Sequence, residues 1–269
     1  MKKTFILATM LALLTGTFFS CDNTTNQEPY NPDSLFAIIN DHYLDDTLAM
    51  EKDPTAYLLS LIDKHITNPV NHDRMIADMI SMNMMMDGIN DEIIKLKDAA
   101  ISHITTDSII ERVNKDFDEI QKDYEKLKPG NAIPKLSFST PEGLNLDLAD
   151  FKGKLLYVDV WATWCGPCIG EIPALEEVYK HFKGNDKIEI ISISCDQDKD
   201  AWTQFLKENP HQWEQFIVTE EGQETLGKEY KVMSIPRFMV IDPQGKFIDA
   251  DAIRPSDEGI ISYLEGLLK

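Results

Sequence analysis

Leu155-Leu156-Tyr157-Val158-Asp159-Val160-Trp161 runs directly into Ala162-Thr163-Trp164-Cys165-Gly166-Pro167-Cys168. The first seven residues have the apolar, aromatic and β-branched content of an interior strand, and a helical pattern opens after Cys165. A cysteine at the start of a helix lies beside unsatisfied backbone N–H groups and the positive end of the helix dipole, which favour its thiolate. The two-residue spacing lets Cys168 reach Cys165 on one helical turn. Cys165, on the exposed rim, is expected to attack, and Cys168, one turn inward, to resolve the mixed disulfide. A close cysteine pair also begins many zinc ribbons, but zinc needs two further ligands, and only Cys195 and scattered histidines such as His181 and His211 are at hand. No metal is expected.

Outward from this stretch, short β-rich runs alternate with helical segments, the pattern of an α/β layer fold around a buried sheet. Lys135–Ser139 and Leu144–Asp147 flank the turn Thr140-Pro141-Glu142-Gly143, which predicts a hairpin. Ile188–Ser194 reads as a second interior strand. Phe238–Ile241 and Lys246–Ala250 flank Asp242-Pro243-Gln244-Gly245 as a second hairpin, and a last helix is expected from about Ser256 to Leu268. Upstream, residues 34–128 carry apolar side chains at helical spacing with almost no strand signal. Breaks fall at Asp53-Pro54, Asn68-Pro69 and Lys128-Pro129-Gly130, and the last sets a domain boundary.

The N-terminus reads as a targeting segment. Lys2 and Lys3 precede an apolar run from Phe5 to Leu14, and Ser20 precedes Cys21, so residues 1–20 are expected to be a signal peptide. Residues 21–33 are polar and contain two prolines, as in a flexible tether. The net charge of −20 excludes the basic footprint of a nucleic-acid binder.

Residues 131–269 resemble the thioredoxin-like domain of the ResA/TlpA type of anchored thiol-disulfide oxidoreductases, on the strength of Trp164-Cys165-Gly166-Pro167-Cys168 together with several separate positions. Asp159, six residues before Cys165, matches the buried aspartate of thioredoxins, and Glu171 matches the active-site glutamate of the ResA-like members. Pro173 falls where thioredoxins kink the active-site helix, and Ser234-Ile235-Pro236 matches their cis-proline loop. The resemblance implies a central mixed sheet flanked by helices, and the helical spacing of residues 34–128 reads as an all-α domain before it. It also implies catalytic Cys165, Cys168, Glu171 and Asp159, and a substrate-binding rim of Trp164, Gly166, Pro167, Ile235 and Pro236. Ser20-Cys21 resembles the acylation site of bacterial lipoproteins, with Phe18 where leucine is usual, and implies a lipid anchor at Cys21. No cofactor is expected beyond the Cys165–Cys168 disulfide.

Either carboxylate can serve as proton acceptor for Cys168: Asp159 from an apolar strand, where burial raises a carboxyl pKa, or Glu171 from the neighbouring helical turn. The alternatives are a strand-edge Asp159 facing water and a solvated Glu171. Cys195 reads as a small buried hydrophobe, and Met75, Met79, Met82 and Met86 as a helix-packing seam. The expected activity is reduction of disulfides in exported proteins, with electrons from a membrane thiol donor and apocytochrome c maturation as one task that the resemblance implies. The Gly166-Pro167 dipeptide of thioredoxins favours a reductant. The rivals are a disulfide isomerase and a client-binding chaperone, each using the helical domain.

Overall fold

A computed structural model describes residues 52–269. The signal segment, Cys21, the tether and the start of the helical region lie outside the described residues. Two compact units divide between Lys122 and Asp123.

The first unit is helical: α1 (Pro54–His65), α2 (Pro69–Asp87), α3 (Asp91–Ile101) and α4 (Asp107–Glu125). The Asp-Pro and Asn-Pro breaks are helix starts. Asp53 and Asn68 cap α1 and α2 by accepting from the N–H groups of Ala56 and Asn71, and Pro54 and Pro69 follow in the first turn, where no N–H is needed. Leu58, Ile62, Met75, Ile76, Met79 and Val113 meet in one core, so Met75 and Met79 are packing residues. Met82 is half-buried and Met85 is exposed.

A polar knot ties these helices together. Asp73 Oδ2 accepts from the N–H and hydroxyl of both Thr105 and Thr106, at the mouth of α4. Asp73 Oδ1 meets His72 Nδ1 at 3.0 Å, His72 Nε2 meets Asp63 Oδ1 at 2.9 Å, and His103 Nδ1 meets Asp63 Oδ2 at 3.1 Å. Two histidines that look scattered in sequence therefore have carboxylate partners. Burial alone would raise the Asp73 carboxyl, but the hydrogen bonds from Thr106, His72 and Thr105 hold it down at about 2.

The second unit is built on a seven-stranded sheet. In chain order its elements are β1 (Ser137–Ser139), β2 (Asn145–Asp147), a 3-10 turn (Leu148–Phe151), β3 (Leu155–Trp161), α5 (Gly166–Phe182), β4 (Ile188–Ser194), α6 (Lys199–Glu208), β5 (Glu214–Val218), α7 (Glu220–Lys228), β6 (Arg237–Ile241), β7 (Phe247–Asp249) and α8 (Ile260–Leu267). Strand order is β2-β1-β5-β4-β3-β6-β7, with β3, β4 and β5 mutually parallel and the outer pairings antiparallel. This is the thioredoxin-like fold with a mixed sheet. Side chains of β3 alternate between two cores. Leu155 and Tyr157 pack with Leu175 and Val178 of α5 and Leu264 of α8, while Leu156, Val158 and Val160 pack with Leu226 of α7 on the other face.

Both hairpins form where the turn sequences place them. A further strand, β5, has only a weak signal in the sequence. Its opening Glu214 and Gln215 are polar, and it gains its place by pairing between β1 and β4. The last helix starts at Ile260 and not Ser256, because Asp257 and Gly259 are taken up in tight turns and Ser256 turns inward to a carboxylate.

Asp73→Ala should leave the Thr105 and Thr106 N–H groups without their buried acceptor, at a cost of about 3 kcal/mol. Hydrogen exchange across α3 and α4 is expected to speed up by roughly a hundredfold. Because the folded-state pKa lies below the unfolded one, this stabilisation is complete above about pH 4 and fades as pH falls towards 2. Unchanged protection in the variant would remove Asp73 from this role.

Candidate active site

The chain leaves β3 at Trp161, turns through Ala162–Trp164 and enters α5 with Cys165 as its N-cap. Cys165 Sγ accepts from the N–H of Cys168 at 3.2 Å, as a capping oxygen does. Pro167 sits in the first turn, where its missing N–H costs nothing. Cys165 and Cys168 form a disulfide with sulfurs 1.97 Å apart.

The entry loop is pinned by Asp196, just beyond β4. Its Oδ2 accepts from Thr163 N–H at 2.9 Å and from Ser194 Oγ at 2.5 Å, and its Oδ1 accepts from Thr163 Oγ1 at 2.7 Å. The neighbouring Cys195 N–H donates to Trp161 O at 2.7 Å. Asp196 escaped the sequence reading. Its position at the carboxyl end of a parallel strand was the available signal.

Cys165 is not on an exposed rim: it is 5% exposed and Cys168 3%. The reason is packing, since Trp161, Ala162, Trp202 and Ile217 close around the disulfide. Exposure falls instead on Trp164, at 70%, and on Gly166 and Pro167. Ile235 packs against the same cluster, and its bond to Pro236 is cis. The structure thus brings the two cysteines, Trp161 and Ile235 together, with Trp164, Gly166 and Pro167 bordering them along the chain.

Asp159 is buried on β3 and accepts from Ser192 Oγ at 2.8 Å. Strand alternation puts it on the face of Tyr157, below α5, one step before Trp161, which packs with the cysteines. Burial pushes its carboxyl up to about 7, the Ser192 hydrogen bond pulls the other way, and the charge of Glu171 adds to the rise. Asp159 is therefore not a strand-edge residue facing water.

Glu171 is not solvated either. Its Oε2 accepts from Ser256 N–H at 3.0 Å, its Oε1 from Ser256 Oγ at 2.9 Å, and Arg254 lies 3.8 Å away. The carboxylate fastens the second turn of α5 to the segment before α8. Sequence reasoning missed Ser192 and Ser256 because each is distant in the chain from the carboxylate it serves. Cys195 is half-buried and packs against the core opposite α5. Burial, with Asp196 and Asp159 nearby, pushes its thiol up to about 12, so it stays protonated at neutral pH. Among the described residues no group of three or more His, Cys, Asp or Glu side chains is placed to hold a metal ion.

A dithiol pair capping a helix at the end of a central strand defines a site for thiol-disulfide exchange. A family model for thioredoxin-like domains matches residues 153–247. Thiol-disulfide oxidoreductase ResA of Bacillus thuringiensis subsp. konkukian is 31% identical over 141 residues, 52% of this chain and 79% of that protein. ResA of Bacillus subtilis is 30% identical over 124 residues, 46% of this chain and 67% of that protein. Among solved structures, a provisionally assigned thiol-disulfide oxidoreductase of Bacteroides vulgatus is 36% identical, with a TM-score of 0.49, over 52% of this chain and 97% of that one. The chain belongs to the ResA-like thiol-disulfide oxidoreductases of the thioredoxin-like family.

The raised pKa of Asp159 has a thermodynamic consequence. A folded-state value above the unfolded one means that the stability given by the neutral form is complete below about pH 4 and is lost as pH rises through about 7. Wild-type urea midpoints should therefore fall between pH 5 and 8. Asp159→Asn should flatten that slope and stabilise the thioredoxin-like unit by a few kcal/mol at pH 8. Parallel slopes for the two proteins would contradict the burial argument.

Proposed function

We propose that this protein reduces disulfides of exported proteins from a lipid anchor at Cys21, and is recharged by a membrane thiol donor. The observation that carries the reading is the Cys165–Cys168 disulfide on the N-terminus of α5, the helix that follows the strand holding a buried carboxylate of near-neutral pKa. In the reduced enzyme, the Cys165 thiolate attacks one sulfur of a target disulfide, forming a Cys165–target disulfide and releasing the first target thiolate. Cys168 then gives its proton to Asp159, and its thiolate attacks Cys165 Sγ. This closes the Cys165–Cys168 disulfide and releases the second target thiolate. Two electrons have passed to the target, and a donor dithiol returns them in the reverse sequence.

Asp159 suits the acceptor role because a base is most effective when its pKa lies near the working pH. Glu171 suits a supporting role, since both of its oxygens are engaged by Ser256. Ile235, next to the cis bond and packed against the cysteine cluster, offers main chain for an extended target segment to pair with. Trp164, next to Cys165 in the chain, supplies an exposed aromatic surface. The reducing direction rests on the Gly166-Pro167 dipeptide between the cysteines.

The deciding measurement is the reduction potential of the pair, by equilibration with dithiothreitol and thiol trapping. A value near the roughly −270 mV of thioredoxin is expected, whereas one near the roughly −120 mV of strong oxidants would overturn the reducing direction and favour oxidase or isomerase work. Cys168→Ser should accumulate the Cys165–target disulfide, which identifies the targets directly.

A further inference from the structure

We propose that Trp213 and Ser192 form a two-step hydrogen-bond relay that keeps Asp159 in its proton-accepting form, which makes both of them positioning residues for the resolving step. The inference rests on the reading of Asp159 as the acceptor of the Cys168 proton. Trp213 Nε1–H donates to Ser192 Oγ at 2.8 Å, and Ser192 Oγ donates to Asp159 Oδ2 at 2.8 Å. All three residues are buried. Ser192 lies opposite Asp159 in the parallel β3–β4 register, and Trp213 directly precedes β5, whose Gln215 pairs with Ser192. The relay thus runs from the residue before β5 through β4 to β3.

Its direction follows from the chemistry of the indole. Trp213 can only donate, so it occupies a lone pair of Ser192 Oγ and leaves the serine proton to be given elsewhere. Asp159 Oδ2 is the acceptor within reach. Donation into Ser192 also polarises its O–H, and in a low-dielectric interior each bond strengthens the next. The Trp213 ring is held in place by Tyr179 and His211, with centroids 6.0 and 4.7 Å away.

The relay matters because the rest of the surroundings oppose a charge at Asp159. Burial and the carboxylate of Glu171 on α5 both favour its neutral form, and the Ser192 hydroxyl opposes them. From β6 the facing residue is Phe238, which is apolar. The titratable neighbours Tyr157 on β3 and Cys195 beyond β4 both feel the Asp159 charge as a repulsion. Without the serine donor Asp159 would keep its proton to higher pH, and a smaller fraction of it would be free to take one from Cys168 at neutral pH.

The test uses the oxidised full chain with 13C-carboxyl-labelled aspartate, the Asp159 signal being assigned by its loss in Asp159→Asn. Ser192→Ala should raise the Asp159 titration midpoint by about 1–2 pH units. Trp213→Phe should raise it less, in the same direction, and Ser192→Thr, which keeps the hydroxyl, should return it towards wild type. In parallel, reduced protein is mixed with Ellman's reagent. The first aryl thiolate released reports attack by Cys165 and the second reports resolution by Cys168. The acid limb of the second phase should move with the carboxyl midpoint, so that resolution at pH 7 slows by roughly fivefold for a rise of one pH unit and roughly fiftyfold for a rise of two. A midpoint unmoved in both Ser192→Ala and Trp213→Phe overturns the relay. A midpoint that moves while the second-phase profile stays put leaves the relay standing and overturns Asp159 as the acceptor.

Discussion

The burial of β3 on both faces is the constraint on which the active site depends. Every residue from Leu155 to Trp161 is buried, because α5 and α8 cover one face and α7 covers the other. A carboxylate in that strand cannot be hydrated, so a few neighbouring groups set its proton affinity. In water an aspartate has already lost its proton at neutral pH and is a weak base there. At a pKa of about 7 it becomes a proton acceptor, and ionising it in the folded state costs about 4 kcal/mol of stability. That is a large fraction of the 5–15 kcal/mol that typically holds a domain together. The apolar layers on either side of β3 supply what the carboxylate takes away.

The helical unit shows the same side chain put to the opposite use. Asp73 is fully buried, at 0% exposure against 6% for Asp159, yet its carboxyl sits at about 2 where that of Asp159 sits at about 7. Burial pushes both upward. Two things differ: desolvation weighs far more on Asp159, deep in the sheet core, and the donors are unequal, since Asp73 receives two backbone N–H groups, two threonine hydroxyls and a histidine, whereas Asp159 receives one serine hydroxyl and faces the charge of Glu171. Saturated with donors, a buried carboxylate becomes a fixed anion that joins helices. Undersupplied, it stays reversible.

What could be read in the sequence was local. The strands β3 and β4, both hairpin turns, the proline-led helix starts and the cysteine pair all depend on residues close together in the chain, where spacing determines geometry. The contacts that set the chemistry join distant residues. Asp73 meets Thr105 across 32 positions, Asp159 meets Ser192 across 33, and Glu171 meets Ser256 across 85. None of these carries a local pattern. The burial of Cys165 is not legible in the sequence for a related reason: helical spacing tells which turn a cysteine occupies, whereas Trp202 of α6 and Ile217 of β5, which pack around it, come from elements later in the chain.

The division of labour proposed for the two carboxylates follows from where their oxygens are spent. Glu171 uses Oε1 and Oε2 on Ser256, a contact that anchors α5 to the segment before α8. Asp159 spends Oδ2 on a single hydroxyl, so it can accept a proton without loosening the strand that carries it. A resolving thiol needs a base that changes charge once per cycle while the helix bearing both sulfurs stays still. On the proposed mechanism, that requirement separates a carboxylate that holds the scaffold from one that works on it, and it gives a reason for an aspartate in an apolar strand where a valine would be more stable.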